Sequence, residues 1–120
     1  MRDQNTRESV AQEVASRVGF LTKEQILSKD FYKSQQWRTL RYHFLRDSNG
    51  KCVCCGATKE DGVTMHVDHI IPRTINWELA LDFKNLQLLC EDCNIGKSNI
   101  FTDDWREKKK KVGKVHVKRI

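Results

Sequence analysis

Two Cys-x-x-Cys pairs, Cys52/Cys55 and Cys90/Cys93, constrain the fold of this 120-residue chain more than any other feature. Two such pairs can close one tetrahedral four-sulfur zinc site. Their wide separation, with 34 intervening residues, does not fit a compact zinc finger, so something else is built inside the loop. Gly56 follows the first pair and allows the tight turn that lets two sulfurs converge on one metal. The x-x spacing selects Cys52 and Cys55 and leaves Cys54 as a small packed thiol. Five cysteines, an odd number, suit a reducing compartment and a metal better than a disulfide framework.

A chain of this length makes one domain with a modest core, and a structural zinc would compensate because metal binding becomes folding free energy. Apolar residues are 38% and charged residues 32%, polar but not a disordered composition. No apolar run approaches ~18 residues and MRDQNTRESV has no signal-peptide core, so the expected setting is cytosolic, with no membrane partner. The net charge of +6 is uneven: residues 1–30 balance to zero, 31–60 sum to +4, 61–100 to −3 and 101–120 to +5. Basic segments flank an acidic centre, as expected where flanks hold a polyanion and the centre a divalent cation. A lysine-rich solvated tail would give the same totals.

Along the chain, Val10, Val14 and Val18 have helical spacing, and Gly19 can end that helix. Thr22-x-x-Gln25 reads as a capping box before a short helix with Ile26 and Leu27. Ser34 can cap a helix to about Arg46, with Trp37, Leu40, Phe44 and Leu45 on its buried face. Arg38, Arg41 and Arg46 lie off that stripe, where they could meet phosphates or only solvent. Val63 to Ile71 reads as a strand that ends before Pro72, with Met65 and Val67 on one face and His66 and Asp68 on the other. Residues 73–84 connect it, with room for one helical turn, to a second strand beginning at Asn85, and Cys90 to about Ser98 reads as a short helix. Residues 101–120 end in a basic run that includes Lys108, Lys109, Lys110 and Lys111.

The order strand, loop, strand, helix, together with FYKSQQWRTLR, KCVCCG, HVDHIIPR, NLQLLCEDCN and GKS, resembles the HNH endonuclease family over about residues 30–100. The resemblance implies an α+β fold: a ββα-metal core with helices before it and a structural four-cysteine zinc site. It divides the chain into a helical extension at 1–29, a nuclease domain at 30–100 and a basic tail at 101–120. Position by position, it implies that Asp68 is the first metal ligand, His69 the general base, Asn85 the middle asparagine and Asn94 the last position. Many members carry histidine at that last position. Two oxygen ligands depart from the His-rich colicin DNases and lean toward Mg2+ or Mn2+. The Asp-His…Asn…Asn pattern is also similar to the nuclease domain of RNA-guided CRISPR effectors.

On that resemblance the expected activity is hydrolysis of DNA phosphodiester bonds, duplex DNA first, leaving 5′-phosphate and 3′-hydroxyl ends. Asn85 would tie the loop through its amide and keep His69 oriented. His66 shares a strand face with Asp68 and is a candidate metal or phosphate contact, and Arg73 and Lys97 are candidate phosphate contacts. Arg38, Arg41 and Lys108 to Lys111 are candidate DNA contacts. Phage members of this type often act beside DNA-packaging machinery, so a packaging complex is a compatible partner, and the setting would be a bacterial or phage-infected cytoplasm. The alternative is a zinc-knuckle nucleic-acid-binding or assembly module without catalysis, which would have no need of Asp68, His69 and Asn94 together.

Overall fold

In a computed structural model of the protein, residues 19–106 are described. The valine repeat at Val10, Val14 and Val18 and the lysines at 108–111 lie outside them. Helix α1 (Lys23–Leu27) begins with the expected capping box: the Gln25 N–H donates to Thr22 Oγ1 at 3.2 Å, and the Thr22 N–H to Gln25 Oε1 at 2.8 Å. Helix α2 (Gln35–Asp47) is capped by Ser34, whose hydroxyl accepts from the Trp37 N–H at 3.2 Å. Its buried face is centred on Trp37 and Leu40, with Phe44 partly buried against Phe83.

Strands β1 (Met65–His69) and β2 (Leu86–Cys90) form one antiparallel pair, in which Asp68 faces Gln87 and His69 faces Leu86. β1 is shorter than the 63–71 read from β-branched residues. The reason lies across the pair. The Ile70 N–H still reaches the Asn85 carbonyl at 2.8 Å, but the Ile71 N–H and carbonyl bond the side chain of Asn85. The connection carries two single turns of 3-10 helix, Trp77–Leu79 and Phe83–Asn85, so Asn85 lies just before β2 instead of opening it. Helix α3 (Glu91–Lys97) follows directly, with Cys90 as its N-cap residue.

The apolar side chains divide into two clusters on either end of β2. One gathers Ile26, Phe31, Trp37, Leu40, Ala80, Phe83 and Leu86. The other is Cys52, Leu89 and Cys90, with Val63, Met65 and Trp105 packed on it. The Cys52–Gly56 knuckle closes through a Gly56 N–H bond to the Cys52 carbonyl at 2.8 Å, and Gly56 takes φ +82°, as its position after the cysteine pair requires. A bond from the Val53 N–H to the Leu88 carbonyl at 2.9 Å fastens the knuckle to β2.

Candidate active site and metal cluster

The knuckle and the start of α3 bring Cys52, Cys55, Cys90 and Cys93 together, with every sulfur within 4.8 Å of the others. Zinc–sulfur bonds of ~2.3 Å in a tetrahedron imply sulfur–sulfur edges of about 3.8 Å, and Cys55 and Cys90 stand 3.7 Å apart. Burial raises the Cys52 thiol, but backbone N–H groups of Cys90, Cys55 and Cys54 outweigh it and bring the group down to about 7. Burial and the neighbouring sulfurs push Cys55 and Cys93 up. One group falling while others rise is what thiols crowded into one volume produce, since the first thiolate repels the next. Four thiolates at this separation call for a cation among them, so the donor set fits a metal such as zinc. Cys54 is outside the four. Among the described residues this is the only grouping of three or more His, Cys, Asp or Glu side chains placed to hold a metal.

At the end of β1, Asp68 and His69 both line a cavity of about 570 Å³, with Tyr32, Trp37, Arg38, Arg41, His66, Arg73, Asn94 and Asn99 among the residues around it. On a strand, consecutive side chains leave opposite faces, and these two indeed find different partners. Asp68 is buried and accepts at Oδ2 from Gln87 Nε2 at 2.9 Å, and Lys97 Nζ lies 3.1 Å from the same oxygen. Burial raises its carboxyl above the usual range, against the pull of Gln87 and Lys97. Both residues nonetheless line the one cavity.

His69 is 5% exposed and lies against Trp37, with ring centroids 4.8 Å apart, and near Phe31 and Tyr32. Its Nε2 is 2.8 Å from the Ala80 carbonyl. A carbonyl only accepts, so Nε2 carries the proton and Nδ1 keeps the lone pair. Burial brings this imidazole down to about 4, with Arg73 and Lys97 adding to the shift and the Ala80 bond opposing it. Asn85 holds the loop that presents Ala80: its Nδ2 donates to the Ile71 and Leu79 carbonyls at 3.0 and 3.1 Å, and its Oδ1 accepts from the Ile71 N–H at 2.9 Å.

The remaining sequence candidates divide. Asn94, Arg38 and Arg41 are on the cavity wall. His66 is also there, with Nε2 3.7 Å from a Glu91 carboxylate oxygen. Arg73 lines the cavity while donating to the Ile26 carbonyl at 2.8 Å and lying over the Phe31 and Tyr32 rings. Lys97 corrects an expectation. Its side chain is 2% exposed, and its ammonium is directed to Asp68 and, at 2.9 Å, to the His69 carbonyl, not outward to phosphate. Gln87, fully buried, is a site residue that the sequence motifs do not single out. The signal available is a polar residue within the otherwise apolar LQLLC run. Its amide also donates to the Asp103 carbonyl at 3.0 Å and accepts from the Trp105 N–H at 3.1 Å.

A family model described as HNH endonuclease matches residues 52–99, from the first cysteine of the knuckle to just beyond α3. A protein of Lactococcus phage SK1, described as a probable HNH endonuclease, is 33% identical over 73 residues, covering 58% of this chain and 76% of the relative. No solved structure gives a significant match. On these grounds the chain belongs to the HNH endonuclease family.

Proposed function

We propose that this protein is a metal-dependent DNA endonuclease, with His69 as general base and Asp68 and Asn94 as the protein ligands of one divalent ion. The observation that carries the reading is the fixed tautomer of His69 beside Asp68 on one cavity wall. At neutral pH the buried imidazole is uncharged, so Nδ1 is able to take a proton from water. A value near 4 describes a weak base. A phosphate entering the cavity adds negative charge beside the ring and shifts it back up, so basicity rises when substrate is in place. Asn85 acts through Ala80: by tying Ile71 and Leu79 it keeps the carbonyl under Nε2 and the ring in one orientation. Arg38, Arg41 and Arg73 line the cavity as counter-charges for the phosphate.

Asp68 and Asn94 supply two hard oxygen donors, a set that fits Mg2+ or Mn2+, which keep several waters and take further oxygens from substrate. When bound, such an ion supplies Lewis-acid stabilisation of the scissile phosphate and the leaving 3′ oxygen. The products would carry 5′-phosphate and 3′-hydroxyl ends. The four-cysteine cluster would hold structural zinc. Duplex DNA is the proposed substrate, in the cytoplasm of a bacterial or phage-infected cell. No helix among the described residues is long and apolar enough to cross a membrane. A phage packaging complex is a partner compatible with this role.

Cleavage of plasmid against Mn2+ concentration tests the assignment. His69→Ala should still bind DNA and metal but lose on the order of 10²–10⁴-fold in rate, which added metal does not restore. Asp68→Ala and Asn94→Ala should be partly rescued by metal, Asp68→Ala needing more because it also loses a charge. Rescue of His69→Ala alone would reverse the roles. Absence of cleavage by the wild type with either ion would leave a binding module.

A further inference from the structure

The buried lysine beside Asp68 is not used in the chemistry above, and its position is unusual for a metal site. Its ammonium lies 3.1 Å from Oδ2 and 3.4 Å from Oδ1 of Asp68 and 2.9 Å from the His69 carbonyl. Gln87 Nε2 adds a second donor to Oδ2 at 2.9 Å. Among the described residues, Oδ2 therefore accepts from two groups, whereas Oδ1 has only the longer Lys97 contact. Gln87 and Lys97 are both buried and neither lines the cavity, while Asp68 does. They hold the carboxylate from its buried side.

A desolvated carboxylate needs a compensating charge. Here the free protein already supplies one, so a divalent ion at Asp68 arrives next to a fixed positive charge. Repulsion over a few ångströms in a partly buried site is large compared with a ten-fold change in affinity. A DNA phosphate in the cavity brings the negative charge that offsets it. We propose that Lys97 is a positioning residue that fixes Oδ1 of Asp68 as the oxygen offered to the divalent ion and keeps that ion's affinity low until phosphate occupies the cavity. The inference rests on the reading of Asp68 as a metal ligand.

The test is a Mn2+ titration of the full zinc-loaded chain, with free Mn2+ counted by electron paramagnetic resonance, with and without a cleavage-resistant phosphorothioate duplex. In the wild type the duplex should tighten Mn2+ binding by about ten-fold or more. Lys97→Met should tighten binding to the free chain by a similar factor and remove most of the duplex effect, whereas Lys97→Arg should behave as wild type. Unchanged or weaker binding in a folded Lys97→Met, judged by circular dichroism and zinc content, overturns the proposal. Should that variant not fold, the wild type decides: a free chain that binds Mn2+ as tightly as the duplex-bound chain overturns it too. Asp68→Asn separates the two levels. Loss of Mn2+ binding there supports Asp68 as ligand, and undiminished binding sinks the ligand assignment itself.

Discussion

At the scale of single residues, the candidate site gathers polar side chains that are buried: Asp68, His69, Asn85, Gln87 and Lys97. His69 pairs a folded-state value of about 4 with the ordinary 6.5. The unfolded chain therefore takes up the proton first as pH falls. The stability associated with the neutral ring is complete above about 6.5 and is lost as pH falls toward 4, roughly 3 kcal/mol in all. Melting temperature measured from pH 7 to pH 4.5 should drop more steeply in the wild type than in His69→Phe, and parallel slopes would count against a buried neutral imidazole. Local signals of this kind were partly legible. The amide of Asn85 bonds the backbone of Ile71, a residue of the loop that follows β1. The Asp68–Lys97 pair was not legible, because it joins residues 29 apart in sequence through the docking of α3 on β1. Gln87 was hidden for the same reason: its partner is revealed only by the strand register.

At the scale of elements, short-range chemistry was the most readable. The Thr22 and Ser34 caps and the paired cysteines each specify their partners within a few residues, and each forms. Strand limits were less readable because Asn85 takes over the backbone groups of Ile71, a decision made across the pair and not along the strand. The knuckle is the element whose failure should be most visible. Cys52 is fully buried and its sulfur joins the cluster, whereas Cys54 stands outside the four. Cys52→Ser should lose the metal and the folded state, with metal analysis falling from about one zinc per chain toward none. Cys54→Ser should retain the metal and melt within about 0.5 kcal/mol of wild type. Zinc retained in the first and lost in the second would reassign the ligands.

For the molecule as a whole, charge and connectivity set the remaining expectations. Arg38 and Arg41 on the cavity wall and the lysines beyond the described residues lie on opposite sides of the acidic centre in sequence. If Lys108 to Lys111 meet phosphate, neutralising all four should weaken DNA binding and flatten its logarithmic dependence on salt by up to about 0.9 per lost contact. Cleavage of saturating substrate should persist, and an unchanged slope would return the run to solvent. The same connectivity has a consequence for how the protein is made. The knuckle waits for Cys90 and Cys93, β1 for β2, Asp68 for Lys97, and Gln87 for the backbone of residues 103–105. Synthesis is vectorial, and an emerging chain can pair only with what has already left the ribosome. Nearly every group of the site is thus translated before its partner, and no early fragment contains a finished one. A nascent chain stalled before residue 105 would leave Gln87 short of a backbone partner, so the site is complete only after the last of these partners has emerged.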